Sequence, residues 1–274
     1  MLKNTFHHIP GIGIKSEQKL WNNGVMSWKD IENPEIKIPA GQRSKLKTHI
    51  KDSMEQIENG NFNYFENLLP SGLHWRFFPE VRKNAVYLDI ETTGMESYDK
   101  ITTIALFNGK EIQYFVNGKN MEQFPEALFQ YSTIITYNGK CFDIPFIEKY
   151  FRLSIPHVHI DLRYLLKSLG YDGGLKGCEK KMGIRRGELD GVDGFFAVLL
   201  WSDYIRRKNI KALETLLAYN IEDVINLEIL MVKAYNMKIM DTPFSASHSI
   251  PLPKAPDIPF RADPETIKRL KRHW

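Results

Sequence analysis

The sequence predicts an α/β fold, a five-stranded mixed sheet flanked by helices with a small helical N-terminal extension. From residue 84 onward, short apolar runs of strand character alternate with longer stretches of helical period. The first three runs follow one another directly, whereas the last two are each preceded by a helix-like stretch. A third observation separates the extension: residues 32–83 read as helical connections, with an amphipathic stretch at 44–59 and a break at Pro70-Ser71-Gly72.

The elements follow in order. Ile9-Pro10-Gly11-Ile12-Gly13-Ile14-Lys15 reads as a tight hairpin, and residues 16–23 as the helix after it. Trp21 and Trp28 are expected to pack this segment onto the main body. Phe77-Phe78-Pro79 leads into the first strand, Ala85-Val86-Tyr87-Leu88. Residues 101–107 and 111–116, joined by Asn108-Gly109-Lys110, carry a hairpin signal and complete three consecutive strands. A helix at 121–131, a strand at 133–136, a helix at 143–151 and a strand at 157–160 continue the pattern. Gly173-Gly174-Leu175-Lys176 opens another helix, residues 185–196 form a glycine-containing bend, and 212–235 form a long helix. Prolines 243, 251, 253, 256 and 259 then mark a draped or mobile tail that ends in a short basic helix. Three regions result: 1–83, 84–237 and 238–274.

Composition excludes several classes. A chain with 43% hydrophobic and 26% charged residues is not disordered, and no apolar stretch approaches the roughly 20 residues of a membrane helix. The polar start lacks the apolar core of a signal peptide, so a cytoplasmic protein is expected. Cys141 and Cys178, the only cysteines, provide no disulfide framework, and Cys141 is expected as a small buried filler.

Chemistry concentrates where the first strand ends, in Asp89-Ile90-Glu91-Thr92-Thr93-Gly94. Strand side chains alternate faces, so Asp89 and Glu91 share one patch, and their repulsion calls for a cation between them. Oxygen-only ligands suit Mg²⁺ or Mn²⁺ rather than zinc. Asp143 falls at a second strand end, within Tyr137-Asn138-Gly139-Lys140-Cys141-Phe142-Asp143. Tyr219 and Asp223 lie four apart on the long helix and therefore share a face. His157, His159 and Asp161 also fall on one strand face by the same period of two, where a metal site is the less favoured reading. Glu188, Asp190 and Asp193, on the glycine-containing bend, read as turn-forming and capping residues.

The set Asp89, Glu91, Asp143, Tyr219 and Asp223, in that order, resembles the DEDD superfamily of 3′-to-5′ exonucleases in its tyrosine-bearing branch. The stretches DIETTG, YNGKCFDIPF, HIDL and YNIEDVINL are similar to stand-alone ribonuclease H-like exonuclease domain proteins, over roughly residues 84–234. The strand and helix order also matches the ribonuclease H-like fold. The resemblance implies a two-metal enzyme in which Asp89 bridges two Mg²⁺ or Mn²⁺ ions. Glu91 and Asp223 would complete one ion, Asp143 would hold the other largely through water, and Tyr219 would orient the attacking water. It implies a nucleic-acid partner, with single-stranded 3′ ends as substrate and nucleoside 5′-monophosphates as products. Two competing readings are a non-catalytic nucleic-acid-binding module and a structure-specific endonuclease.

Basic clusters at 43–51, 176–186, 206–211 and 268–272 would attract a polyanion to an acidic site, or else form solvated helix faces. Thr92, Asn138 and Lys140 are candidate nucleic-acid contacts beside the acidic residues. The N-terminal hairpin is similar to the hairpin and second helix of a helix-hairpin-helix motif. That adds Gly11, Gly13 and Lys15 as candidate phosphate contacts, against a purely structural helix start.

Overall fold

The computed structural model describes residues 1–96 and 99–272. It forms two compact units, one of Met1–Lys83 with Tyr235–Ile250, the other of Asn84–Ala234 with Pro251–Trp274.

The larger unit is built on a sheet of order β3-β2-β1-β4-β5, with strands β1 (Ala85–Thr92), β2 (Ile101–Phe107), β3 (Ile112–Val116), β4 (Thr133–Thr136) and β5 (Val158–Asp161). β1 pairs antiparallel with β2 and parallel with β4, which makes it the central strand of a mixed sheet. The β2–β3 turn uses Asn108, whose Oδ1 accepts from the backbone N–H groups of Lys110 (3.0 Å) and Glu111 (2.9 Å), and Gly109 supplies the positive φ of 86°. Val86, Leu88, Ile104, Phe115, Phe124, Ile134 and Ile147 form the core between the sheet and its helices. β4 ends at Thr136, and there Gly139 is required by space. A Cβ at that position would lie 2.2 Å from Thr136 Oγ1, and the Gly139 N–H donates to the same oxygen at 3.0 Å. The chain can then turn tightly into the helix Asp143–Phe151.

Three features depart from the expected elements. Residues 121–131 form a 3₁₀ turn, Met121–Gln123, followed by a short helix, Phe124–Leu128. A helix not foreseen from the sequence, Gly194–Arg207, follows the bend; Asp193 starts it by accepting from the Phe196 N–H at 2.9 Å. Removing this cap by Asp193→Ala is expected to cost about 1 kcal/mol, lowering the midpoint of thermal unfolding by about 2–4 °C. The tail is not one draped segment: 235–250 belong to the smaller unit and 251 onward to the larger. Burial explains the second part, since Ile267 enters a core with Phe196, Leu200, Leu216 and Tyr219, and Phe260 meets Tyr114 edge-on at 5.0 Å. Arg269 adds a bond to Asp203 at 2.9 Å.

In the smaller unit, Trp21 and Trp28 are buried, Trp21 edge-on to Phe244 at 5.5 Å and Trp28 stacked on Phe65 at 6.3 Å. Their indole N–H groups donate to the carbonyls of Asn4 (3.0 Å) and Thr5 (2.7 Å). Glu17 accepts from the Phe6 and His7 N–H groups and pairs with buried Arg76 at 2.7 Å, which ties the first residues to the helix Ile14–Asn22. Among the described residues, no helix is long and apolar enough to cross a membrane.

Candidate metal centre

β1 places Asp89 and Glu91 on one face, and the long helix Ile210–Met240 brings Asp223 to them. One carboxylate oxygen from each of the three lies within 4.8 Å of the others. Asp89 is held by Asn220, whose amide donates to Asp89 Oδ2 (2.7 Å) and to the Asp89 carbonyl (3.2 Å), while its own oxygen accepts from Thr103 Oγ1 (3.0 Å). Asp143, at the start of its helix, accepts from the Ile90 N–H at 3.2 Å, so a fourth carboxylate abuts β1 between the first two acids in sequence. Tyr219 sits one turn before Asp223 and is buried. All five residues line one cleft of about 600 Å³.

The electrostatics follow from burial. Desolvation first, then the charge of Asp223, hold the Asp89 and Glu91 carboxyls well above the usual carboxylate range. Burial pushes Asp143 up to about 7. Tyr219 is raised above an ordinary phenol by burial and by Asp223, so its hydroxyl stays protonated at neutral pH. Two cations offset part of the negative charge. Lys176 Nζ lies 2.6 Å from Asp223 Oδ1 and 4.1 Å from the centre of the Tyr219 ring. Arg186 donates to the same oxygen of Asp223 and, through Nε at 2.6 Å, to Glu179. Burial alone would disfavour the guanidinium charge, but Asp223 and Glu179 raise its pKa above the ordinary arginine value. Clustered carboxylates of raised proton affinity, with oxygen as the only donor type, fit a hard divalent cation.

The other expected residues are distributed as follows. Thr92 and Asn138 line the cleft. Thr92 donates from Oγ1 to the Gly94 carbonyl at 2.6 Å; Asn138 adopts a left-handed backbone and donates its N–H to Asp161 at 2.7 Å. Lys140 is not among the cleft-lining residues, and its N–H instead donates to Asp161 Oδ2 at 3.1 Å. Asp161 caps the helix Leu162–Lys167 through the Arg163 N–H. His159 pairs with Thr136 Oγ1 at 2.8 Å, and His157 Nε2 meets the Leu128 carbonyl at 3.2 Å. Gly11, Gly13 and Lys15 belong to the smaller unit: Gly11 takes a φ of 83° in the turn and Gly13 precedes the helix Ile14–Asn22. Cys141 is exposed rather than buried: it lies in the turn between β4 and the helix Asp143–Phe151, with its Sγ 3.7 Å from the Tyr164 hydroxyl, and Cys178 is the buried cysteine.

Sequence reasoning favoured the run 176–186 among the basic clusters as a polyanion contact, but gave Lys176, Glu179, Arg186 and Asn220 no place beside the carboxylates. The basic run at 176–186 was visible, but nothing local distinguishes a lysine that reaches Asp223, 47 residues away, from its solvated neighbours.

A family model described as the RNase_H superfamily matches residues 86–235, just over half of the chain. No curated protein matches. Among solved structures, the family B DNA polymerase from the hyperthermophilic archaeon Pyrobaculum calidifontis aligns at 15% identity and a TM-score of 0.43, over 57% of this chain and 24% of the polymerase. This chain thus spans about a quarter of that protein's length. Brucella melitensis NrnC with bound Mg²⁺ aligns at 15% identity and a TM-score of 0.30, over 64% of this chain and 93% of NrnC.

Proposed function

Because the chain belongs to the RNase H superfamily, we propose that its acidic cleft hydrolyses phosphodiester bonds at the 3′ end of a single-stranded nucleic acid, releasing nucleoside 5′-monophosphates. The observation that carries this reading is the convergence of Asp89, Glu91 and Asp223 within 4.8 Å, beside buried Asp143 and Tyr219. The tyrosine four residues before the last acid supports the tyrosine-bearing DEDD branch.

Asp89, Glu91, Asp143 and Asp223 would hold two Mg²⁺ or Mn²⁺ ions. Such ions supply an activated water and charge neutralisation on the departing 3′ oxygen. The protein's own groups do the rest. Asn220 fixes the Asp89 carboxylate, so the ligand needs no reorganisation when an ion arrives. Tyr219, kept protonated, donates a hydrogen bond that orients water rather than removing its proton. Lys176, a third exposed at the cleft edge, offers a positive charge to the incoming phosphate. Thr92 and Asn138 are assigned to the end of the strand nearest the scissile bond. Gly11, Gly13 and Lys15, in the smaller unit, are assigned to contact a nucleic-acid phosphate.

Digestion of matched RNA and DNA oligonucleotides labelled at the 5′ end, with Mg²⁺ or Mn²⁺ and an EDTA control, tests the reading. A ladder shortening from the 3′ end is expected with either ion and absent with EDTA. A 3′-blocked strand and a closed circle should both survive. Cutting of the circle would replace the exonuclease by an endonuclease, and binding without any cleavage would leave only a nucleic-acid-binding module.

A further inference from the structure

We infer that the buried Arg186–Glu179 pair is a positioning device that locks Asp223 into presenting a single oxygen to the metal centre. The inference rests on the nuclease reading above. It assigns a role to two residues that contact neither water nor substrate in that scheme.

Four side chains form a buried chain of contacts. Asn226 donates to Glu179 Oε1 at 3.1 Å, and Glu179 takes Arg186 on both of its oxygens. Arg186 then donates to Asp223 Oδ1. Glu179 is 1% exposed, Asp223 3%, Asn226 5% and Arg186 8%, so no contact in the chain competes with bulk water. Three elements supply it: Glu179 comes from the helix Gly174–Lys181, Arg186 from the segment after it, and Asp223 and Asn226 from adjacent turns of the long helix.

The contacts treat the two oxygens of Asp223 differently. Among the described residues, its hydrogen bonds from Arg186 and Lys176 both fall on Oδ1, and Oδ2 takes none. A carboxylate gripped at one oxygen cannot turn about its Cβ–Cγ bond without breaking the grip, so Oδ2 points in one direction. The two cations also differ in freedom. The Lys176 side chain is 33% exposed and can leave when phosphate or an ion arrives, whereas the Arg186 side chain is 6% exposed and held by Glu179. Stability gives little reason for such a pair, since a buried ion pair can often be exchanged for apolar residues without loss. Orientation of a metal ligand gives one.

The pair carries no net charge. Its positive member lies against Asp223, however, so replacing both removes a cation from beside the metal ligands; charge alone would then favour Mn²⁺, and a loss of Mn²⁺ affinity reports lost orientation. The full-length Glu179→Met/Arg186→Met variant is therefore compared with wild type in Mn²⁺ binding by calorimetry, in thermal unfolding and in nucleotide release. Mn²⁺ affinity is expected to fall about 10–100-fold, while the unfolding midpoint without metal and the KM for oligonucleotide stay close to wild type. A folded double variant with wild-type Mn²⁺ affinity overturns the inference while leaving the nuclease reading intact. If wild type neither binds Mn²⁺ nor releases nucleotides, both readings fall. Should the double variant not fold, Arg186→Lys decides: an ammonium cannot bridge Glu179 and Asp223 with the planar fork of arginine. Weaker Mn²⁺ binding is then expected, and unchanged binding overturns the proposal.

Discussion

Asp89→Asn is expected to lower nucleotide release by about 10³-fold or more, equivalent to about 4 kcal/mol of transition-state stabilisation, without loss of the fold. The substitution keeps the shape and leaves an oxygen able to accept from Asn220 at the position where Asp89 Oδ2 accepts now. It removes the negative charge, which is what a hard cation requires of this ligand. The fold survives because the native site is strained electrostatically: Asp89 is raised by burial and by Asp223, Glu91 and Asp143, so neutralising it relieves repulsion. Asp223→Asn should match it in rate. Tyr219→Phe should cost only about 10–100-fold, as expected for the loss of one positioned hydrogen bond from a group that transfers no proton. Single-turnover release measured at saturating Mn²⁺ separates the three. A pure Asp89→Asn protein that releases nucleotides at the wild-type rate defeats the assignment, and a Tyr219→Phe loss equal to that of the aspartates would give the phenol a larger chemical part.

Local pattern accounts for what was legible. β4 at Thr133–Thr136 and the helix Asp143–Phe151 have the expected bounds, because a short apolar run ending at a glycine turn and a carboxylate at a helix start are local signals. The acids on β1 were legible for the same reason, since period two alone puts Asp89 and Glu91 together. The helix Gly194–Arg207 was hidden because Phe195-Phe196-Ala197-Val198-Leu199-Leu200-Trp201 is apolar without helical period and follows a glycine-containing bend. Tertiary burial of Phe196, Ala197 and Leu200 decides it. Arg186, Glu179 and Asn220 were illegible as site residues because their partners lie far along the chain, 37 residues from Arg186 to Asp223 and 131 from Asn220 to Asp89. No spacing rule reaches that far. The tail misled in the opposite sense: its prolines suggested a loose segment, yet Phe260 and Ile267 are the anchors that its burial depends on.

In the absence of divalent ions, the Asp89→Asn/Glu91→Gln variant is expected to unfold at a higher temperature than wild type, by a margin that widens as pH rises from 5 to 8. Both carboxyls have folded-state pKa values raised above their ordinary 3.8 and 4.5, chiefly by desolvation. Such groups bind protons more tightly folded than unfolded, so their contribution is fully present below the unfolded pKa and is lost as pH climbs through the folded one. The amides do not titrate, and the variant escapes this loss. Other groups do not confuse the comparison. His8, pushed down to about 3 by burial, acts with the opposite sign below its ordinary 6.5, and Asp143, near 7, acts with the same sign as the site acids; both are present in the two proteins. A margin of about 5 °C or more by pH 8 is the scale that a few kcal/mol produces in a chain of this size. Divalent ions should reverse the order. Mg²⁺ at about 100 times its dissociation constant adds about 2.7 kcal/mol to a protein that binds it only when folded, and the double amide variant lacks two of the ligands. Scanning calorimetry at several pH values, with EDTA and then with Mg²⁺, reads both effects. A wild-type midpoint that keeps pace with the variant as pH rises, or Mg²⁺ that stabilises the two proteins equally, would show that these carboxylates are neither strained when metal-free nor relieved by a cation.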